Sequence, residues 1–479
     1  MPRHQTLRAT IDWSYDLLSE PERTMLHRLS VFAGGCTLEA AEATAAGGPI
    51  EAADVLDLIT RLVDRSLVVP EPSGTEARFT MLETVREYAR ERLIAAGEAE
   101  ATRRRHRDWY LALVEQARPA FFRGPEPSGW LDRLDREHDN LRAALGWSEG
   151  TDGEADAGLR LAAGLWRFWE IRGHLSEGRG WLERFLDRTA SDRSARRADA
   201  LTGAGILALM QGDHAAALAF HEESLEIHRD LEDEAGTSYA LNNLANAAVQ
   251  QGEYTRAREL YEEALAIVRR RGDLHGAAFS FSHLADVTAR SGDYPAARTL
   301  FDRSLDLFRQ LEDRWGMAIA LNGFAQVAAR HGDTGTARTF NEQAIVLSRG
   351  LNDARGVARG LGGLAEVAIA EGDLPGARRL FLECCSIRRS LGDAPGLASA
   401  LERLAWAIAG DEPQSAAWLV GASETVRESI RAPIAPAAQA EHERGLRDLA
   451  ARLGDDGLLA ARREGRELGA ERVLARLLP

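Results

Sequence analysis

The sequence predicts an all-α protein, in which a small N-terminal domain with one β-hairpin precedes a long solenoid of stacked helix pairs. A glycine recurs every 40 residues in the second half of the chain, and an acidic residue follows it each time. Two helical stretches of apolar residues fill each period. Self-similarity at a fixed period predicts stacked units rather than one closed core. The glycines are Gly212, Gly252, Gly292, Gly332 and Gly372.

Each 40-residue unit is predicted to form two helices joined by a tight turn. Glycine suits the left-handed residue that ends the first helix, and the acid suits the N-terminus of the second helix. A second column of aspartates lies 20 residues further on, and it would cap the first helix of the next unit in the same way. This column consists of Asp233, Asp273, Asp313, Asp353 and Asp393.

The type of repeat follows from the small residues. A 40-residue period alone also fits HEAT or WD40 arrays, but WD40 blades need alternating strands, which these periods do not show. Alanines on both helices, such as Ala245 and Ala257, allow crossing helices to approach closely. The pattern resembles the tetratricopeptide repeat, in the longer form found in bacterial regulators and kinesin-light-chain-like arrays. The residues that carry the resemblance are Leu241, Leu244, Ala245, Gly252, Ala257, Tyr261 and Ala264.

Composition narrows the class of protein. The chain has 59 basic and 74 acidic residues and a formal net charge of −15, which argues against nucleic acid or an anionic membrane as the main partner. All the basic residues are arginine, which excludes chemistry that depends on lysine. Three cysteines cannot form a disulfide framework, so a reducing cytoplasm is the expected location. Neither a signal peptide nor a long apolar run is evident, and no membrane association is expected.

The first hundred residues follow a different pattern. Helices are predicted over residues 7–18, 20–32, 37–46, 52–66 and 83–96. Two short strands are predicted over residues 67–69 and 78–81, around a turn at residues 72–74. Several short helices, a two-stranded wing and a further helix describe a winged-helix domain.

This N-terminal region also resembles a known class of signalling proteins. The segments LRATIDWSYDLL (7–18), LSVFAGG (29–35) and MLETVREYA (81–89) are similar to the winged-helix part of STAND-class, NB-ARC-like ATPases. The resemblance is closest to AfsR-like and large LuxR-type bacterial regulators, in which tetratricopeptide repeats follow this domain. Such proteins carry a P-loop ATPase before the winged helix, and this chain starts too late to contain one. The resemblance therefore implies a separate or upstream ATPase domain as a partner.

Nucleotide chemistry within the chain is not expected. No Gly-x-x-x-x-Gly-Lys-Ser/Thr motif is present to hold a triphosphate and its magnesium. The resemblance aligns Met81, Leu82 and Glu83 with a Met-His-Asp triplet that senses nucleotide in NB-ARC proteins. Leucine replaces the histidine here, and the alternative interpretation is that Leu82 is a core residue at a strand-to-helix junction.

Two basic features of the sequence are candidate DNA sites. A recognition helix brings basic side chains to the phosphates, but the candidate helix at residues 53–65 carries three aspartates against Arg61 and Arg65. Packing against other parts of the protein is the favoured interpretation. The cluster from Arg103 to Arg107 is interpreted as a solvated helix face beside Glu98 and Glu100. DNA binding through the winged helix stays the alternative function.

No enzyme site is predicted. His214, His221 and His228 lie at seven-residue spacing, too far apart for one metal ion without a partner helix. Cys384 and Cys385 occupy small and apolar columns of the repeat and are expected in the core. The sequence therefore assigns no catalytic residue, cofactor or metal ligand.

What remains is a binding surface. In tetratricopeptide arrays the first helices line a concave groove, and the matching positions here are mostly polar. Amide side chains suit the backbone of an extended peptide, and arginines can pair with carboxylates. The alternative is that these are ordinary solvated residues. The predicted groove residues are Tyr239, Asn242, Asn243, Asn246, Gln250, Phe279, Ser282, Asp286, Arg290, Asn322, Gln326, Arg330 and Glu366.

The sequence thus predicts a non-enzymatic regulatory or scaffold protein that binds a protein or peptide partner in a repeat groove. The expected domains are a winged helix (1–100), a helical connector with a divergent repeat (101–190), tetratricopeptide repeats (191–430) and C-terminal capping helices (431–479).

Overall fold

The computed structural model of the chain describes residues 2–71, 77–121, 128–434 and 436–477. Its contacts divide it into two compact units. The first comprises Met1–Pro119 and Gly129–Gly164, and the second comprises Ala120–Ser128 and Leu165–Pro479. The turn predicted at residues 72–74 lies outside the described residues. The predicted domain boundaries at 100, 190 and 430 stay predictions.

The first unit surrounds a small antiparallel sheet with short helices. The strands are β1 (Cys36–Thr37), β2 (Val69–Glu71) and β3 (Arg78–Thr80), in the spatial order β1-β3-β2. The helices are α1 (Pro2–Asp16), α2 (Glu20–Leu29), α3 (Leu38–Ala45), α4 (Val55–Asp64), α5 (Glu83–Ala95), α6 (Ala99–Ala117), α7 (Ser128–Arg136) and α8 (His138–Gly150).

The predicted hairpin is present, but the sheet has a third strand. Cys36 in β1 pairs with Phe79 in β3, and Phe79 pairs on its other side with Pro70 in β2. A two-residue strand is too short to show the alternation of polar and apolar residues that identifies strands in a sequence. The expectation of a two-stranded wing was therefore incomplete.

Local sequence explains the helices that build this unit. In α4 the apolar residues Val55, Leu58, Ile59 and Leu62 share one face, and all four are buried. At the start of α2, the carboxylate of Glu22 accepts hydrogen bonds from the backbone N–H and the hydroxyl of Ser19, at 2.7 and 2.8 Å. This capping box fixes where the helix begins.

A buried ion pair joins the sheet to the break between α7 and α8. Arg78 on β3 pairs with Glu137, and both side chains are less than 10% exposed. The Glu137 carboxylate also accepts hydrogen bonds from the Tyr110 hydroxyl at 2.7 Å and from Asn140 Nδ2 at 2.9 Å. Arg78 donates a further bond to the carbonyl of Gly34 at 2.8 Å. A charge pair buried this deeply is tolerated only when it is hydrogen-bonded so completely.

From residue 155 onward the described chain forms helical hairpins. The first pair is α9 (Ala155–Arg172) and α10 (Leu175–Arg188). The repeats follow as α11 (Ala195–Met210), α12 (His214–Asp230), α13 (Glu234–Gln250), α14 (Tyr254–Arg270), α15 (Leu274–Arg290), α16 (Tyr294–Gln310), α17 (Arg314–Arg330), α18 (Thr334–Gly350), α19 (Ala354–Ala370), α20 (Leu374–Ser390), α21 (Ala394–Ile408) and α22 (Pro413–Ile430). The chain continues into α23 (Pro436–Leu453) and α24 (Asp455–Leu477), which is kinked at Gly469.

The turns within the repeats match the prediction. The five periodic glycines all have positive φ, from 76° to 93°. The following aspartates accept hydrogen bonds from backbone N–H groups in the first turn of the second helix, as for Asp293 with Ala296. Glu253 is the exception in this first column, and Asp233 is the exception in the second column, whose other members cap in the same way. Asp233 instead contacts His228 Nδ1, 2.9 Å from its Oδ2.

The loops between repeats contain a second left-handed residue, which the sequence pattern does not predict. Only two members of this column are glycine, so the column does not stand out in the sequence. Its members are Glu232, Gly272, Glu312, Asn352 and Gly392, with φ from 52° to 67°.

The start of the second unit contacts its later helices. An Arg172 guanidinium nitrogen at the end of α9 donates a hydrogen bond to the carbonyl of Leu391, which directly follows α20. A Cβ built on the adjacent Gly173 would lie 3.1 Å from both Ala394 and Ile430. The start of the array therefore contacts the hairpins that lie five and six further on, so the superhelix completes a turn.

Within residues 2–71, 77–121, 128–434 and 436–477, every helix is too short or too polar to cross a lipid bilayer.

Candidate functional site

The predicted groove residues lie on the first helices of successive repeats, and this surface of α13, α15, α17 and α19 is called the groove face. Tyr239, Gln250, Gln326 and Arg330 are exposed on it. Seven others are half-buried: Asn242, Asn246, Phe279, Ser282, Asp286, Arg290 and Glu366. Asn243 and Asn322 are buried, at 8% and 6% exposure.

Several of these residues hold the solenoid together. Asn246 Oδ1 accepts a hydrogen bond from the Tyr261 hydroxyl at 2.6 Å, which joins α13 to α14. The Ser282 and Ser304 hydroxyls lie 2.7 Å apart, between α15 and α16. Phe279 packs edge-on against Phe308, with ring centroids 4.9 Å apart. For these positions the structure supplies partners within the chain.

The two groove arginines share one carboxylate. Arg290 Nε lies 2.7 Å from an oxygen of Asp286, and a guanidinium nitrogen of Arg330 lies 3.4 Å from the other oxygen. Burial first, and then the positive charge of Arg290, lowers the pKa of Arg330. Two guanidinium groups thus face one carboxylate, which leaves a net positive charge on this part of the groove face.

An acidic residue lies one repeat further along the groove face. Glu366 on α19 pairs with Arg403 on α21 at 3.0 Å, and Arg403 also contacts Glu441 at 3.1 Å. Burial raises the pKa of Glu366. The charge on the groove face therefore changes sign along the array, from the arginines of α15 and α17 to the acids beside α19.

The amide groups provide the unused hydrogen-bonding capacity. Within the described part of the chain, Asn242 Oδ1 and Asn322 Oδ1 are buried and have no hydrogen-bond partner. A buried polar atom without a partner costs free energy, typically about 1–3 kcal/mol. Asn242 lies on α13 and Asn322 on α17, two repeats apart.

Asn322 lines a cavity of about 80 Å³ that the sequence analysis did not predict. Trp315, Ile319 and Arg359 line it together with Ser348, whose hydroxyl also has no hydrogen-bond partner among the described residues. The signal was present in the sequence, because the repeat column that contains Ser348 holds His228, Val268, Phe308 and Arg388 elsewhere. A small side chain at this position leaves space that the larger ones occupy.

The winged-helix candidates are placed as follows. On the surface of α4, Arg61 is exposed beside the exposed Asp57 and Asp64, and Arg65 lies 3.9 Å from Glu22. Leu82 precedes α5 and is 61% exposed, so the interpretation of Leu82 as a core residue was wrong. Leu82 lies directly before α5, and the buried face of that helix is formed by later residues, beginning with Val85.

The arginine cluster also differs from the prediction of a solvated face. Arg107 is buried and pairs with Glu154 at 2.8 Å, and Arg105 donates to the Thr44 carbonyl at 2.8 Å. Arg104 is the exposed member, and it contacts Glu100 at 3.2 Å and Glu154 at 2.9 Å.

The histidines and cysteines serve packing roles. His221 is 1% exposed and lies against Gly205, and burial lowers the pKa of its ring to about 4. His228 is bound to Asp233, so these two histidines have separate environments. Cys384 and Cys385 are buried as predicted, and burial raises the pKa of both thiols.

Comparison with known proteins identifies both parts of the chain. A winged helix-turn-helix domain model matches residues 18–94, and a tetratricopeptide repeat model matches residues 196–270 and 276–349. Rv0890c of Mycobacterium tuberculosis, named as a candidate HTH-type transcriptional regulator, is 38% identical over 248 residues. These residues are 50% of this chain and 28% of that protein. The uncharacterised protein Rv0894 of the same organism is 46% identical over 104 residues, which are 22% of this chain and 26% of that protein.

Among solved structures, the chain is similar to a Signal Transduction ATPase with Numerous Domains (STAND) protein with a tetratricopeptide repeat sensor, from Pyrococcus horikoshii. The TM-score is 0.52 at 16% sequence identity, and the match covers 97% of this chain and 65% of that one. The likeness concerns the fold alone, and the matches to the mycobacterial proteins span less than a third of their length. Residues 18–94 thus match a winged helix-turn-helix domain, and the later residues 196–349 match tetratricopeptide repeats, in the order that the sequence predicts.

Proposed function

We propose that this chain is a non-enzymatic regulatory module whose repeats bind a peptide or protein partner along the groove face. The observation that carries the proposal is the pair of buried amide oxygens, Asn242 Oδ1 and Asn322 Oδ1, which have no hydrogen-bond partner within the described residues. The backbone of an extended peptide offers N–H donors at regular intervals, and rotation of either amide toward the groove would bring its oxygen to such a donor.

The charges of the groove face support a peptide with an uneven charge distribution. Its acidic part would lie beside Arg290 and Arg330, and its basic part beside Glu366. Arg330 is exposed and shares Asp286 with Arg290, so it is the arginine with most capacity for a new carboxylate. In this proposal the winged-helix domain receives or relays the bound state, within an assembly that includes a separate or upstream ATPase domain.

Site-specific crosslinking tests the location of the partner. A photoreactive amino acid in place of Gln326, which is exposed on the groove face, should capture a partner when the full chain is expressed in cells. The same amino acid in place of Gln343, exposed on the second helix α18, should not capture that partner. Equal capture from both positions would contradict the proposal.

Substitution tests the amide groups themselves. Replacing Asn242 and Gln326 together by alanine should weaken binding of the captured partner by about tenfold, because each lost hydrogen bond contributes about 0.5–1.5 kcal/mol. Gln343→Ala is the matched control and should leave the dissociation constant unchanged. Unchanged binding by the double variant would place the partner elsewhere.

A second candidate function is direct DNA binding through the winged helix. The names of the mycobacterial relatives and the helix-turn-helix match favour it. The charge on α4 opposes it, because Asp57 and Asp64 flank Arg61 on the exposed surface. Salt-dependent DNA binding that is lost on replacing Arg61 and Arg65 by alanine would support this second function over the first.

A further inference from the structure

The first unit contains an open cleft of about 440 Å³ between the end of α2, α5, α6 and α8. We call it the arginine cleft, because Arg86 and Arg90 of α5 and Arg103 of α6 line it. The remaining lining residues are Ser30, Val31, Ala33, His106, Ala143, Gly146, Trp147, Gly150 and Thr151. No carboxylate is among these lining residues, although the chain as a whole has a net charge of −15.

Arg103 is the member of its cluster that points into the cleft without a counter-ion. Its neighbours Arg104 and Arg107 both bind Glu154, and Arg105 binds a backbone carbonyl. Arg103 itself makes no ion pair or hydrogen bond with the part of the chain that the structure describes. Its pKa is lowered by burial and by the positive charge of Arg90. The fold thus holds two like charges close together.

The other groups in the cleft do not compensate this charge. Arg86 is held by Glu83 on the same helix, at 2.7 and 3.0 Å, so Glu83 is already engaged. His106 is 3% exposed, and burial lowers the pKa of its ring to about 4, so it is neutral at pH 7. Trp147 lies against Arg107, with the guanidinium 5.4 Å from the ring centre, and supplies an apolar wall.

We propose that the arginine cleft binds a small multivalent anion, whose phosphoryl or carboxylate groups are held by Arg90 and Arg103. Guanidinium groups bind both kinds of oxyanion through paired, charge-assisted hydrogen bonds. Val31, Ala33 and Trp147 suit a carbon-containing part of the ligand. The bound anion would remove the repulsion between the two arginines and stabilise the packing of α5 against α6. This site is separate from the groove face of the repeats.

Calorimetric titration of the full chain tests the proposal, with pyrophosphate and citrate as separate probes at constant ionic strength. We expect saturable binding of one anion per chain. Arg103→Gln should weaken that binding at least about tenfold, since it removes one charge-assisted contact. Arg104→Gln is the matched control, because it removes the same charge from the adjacent residue, which binds Glu154 outside the cleft.

The two probes distinguish the source of the anion. Binding of pyrophosphate alone would identify a phosphoryl ligand, binding of citrate alone a carboxylate ligand, and binding of both a general oxyanion site. Absence of saturable binding with either probe, or an equal loss in Arg103→Gln and Arg104→Gln, would overturn the proposal. Folding of the variant is checked by its melting temperature, which should not fall without anion, since Arg103→Gln relieves a like-charge contact.

Discussion

His221 shows how a single buried residue makes stability depend on pH. Its ring lies in the core of α11 and α12 against Gly205, where a charge is unfavourable, so its pKa is lowered to about 4. The unfolded chain exposes the ring, which then has its ordinary pKa of about 6.5. The unfolded state therefore binds more protons between these values, and the folded state loses stability as the pH falls from about 6.5 to about 4.

Replacing His221 by leucine should remove this part of the pH dependence. Between pH 7 and pH 5 the wild-type free energy of unfolding should fall by about 2 kcal/mol more than that of the variant, measured by denaturant titration at both values. The pKa values of His27 and His106 are also lowered to about 4, so a smaller dependence should remain. Parallel curves for the two proteins would show that His221 does not contribute.

At the scale of residues, the sequence predicted the backbone conformation of turns and helix caps better than it predicted the hydrogen-bond and ion-pair partners of side chains. The glycines of the turns and most capping aspartates are local features, so their roles follow from a few neighbouring residues. The bond between Asn246 and Tyr261, or the shared Asp286 between Arg290 and Arg330, joins residues up to 44 positions apart. Such pairs depend on the packing of whole helices, which a single sequence does not display.

The loops between repeats illustrate the scale of elements. Glu312 adopts φ 52°, a left-handed conformation that glycine adopts at little cost and other residues at about 1–2 kcal/mol. At the equivalent position Gly272 has φ 67°. The packing of successive helices therefore sets the loop geometry. Glycine, which this geometry favours, occupies only some of the equivalent positions.

Substitutions at these two positions should have opposite effects. Glu312→Gly should raise the free energy of unfolding by about 0.5–1 kcal/mol, because it relieves the strained backbone. Gly272→Ala should lower it by about 1 kcal/mol for the converse reason. Thermal unfolding of both variants beside the wild type is the measurement. A stabilised Gly272→Ala variant would be inconsistent with this account.

Element boundaries were predictable where the repeat signal is strong. The 40-residue period gave each helix pair from α11 to α20, because turn and cap recur at fixed positions. The strand β1 and the break at Glu137 were not predictable in this way. The first is two residues long, and the second is explained by a buried partner, Arg78, 59 positions away.

At the scale of the whole molecule, a substitution in one repeat is expected to destabilise only that repeat and the adjacent ones. Phe324 on α17 is fully buried, stacks on Phe301 and lies tilted against Phe340, with ring centroids 4.8 and 4.7 Å away. Replacing it by alanine should cost about 3–5 kcal/mol in that region. Because each repeat mainly contacts the adjacent ones, the loss should remain local.

Hydrogen exchange can measure this locality. In Phe324→Ala, amide exchange should accelerate across α15 to α18 and remain near the wild-type rate in α10 to α12. Val327→Ala, a smaller change in the same buried cluster as Phe324, should have the same pattern with a smaller amplitude. Uniform acceleration along the whole unit would indicate a single cooperative core instead of stacked repeats.

The contact between Arg172 and Leu391 depends on the number of repeats that lie between these two residues. Deleting residues 293–332 would join Gly292 to Asp333, and every remaining turn and cap would keep its local sequence. The shortened coil would nevertheless lose the closing contact at Gly173, because its ends would no longer come into register. The number of repeats, and not the sequence of any one repeat, thus decides whether the two ends of the superhelical turn come into contact. Gain or loss of one repeat by recombination would change the length of that turn.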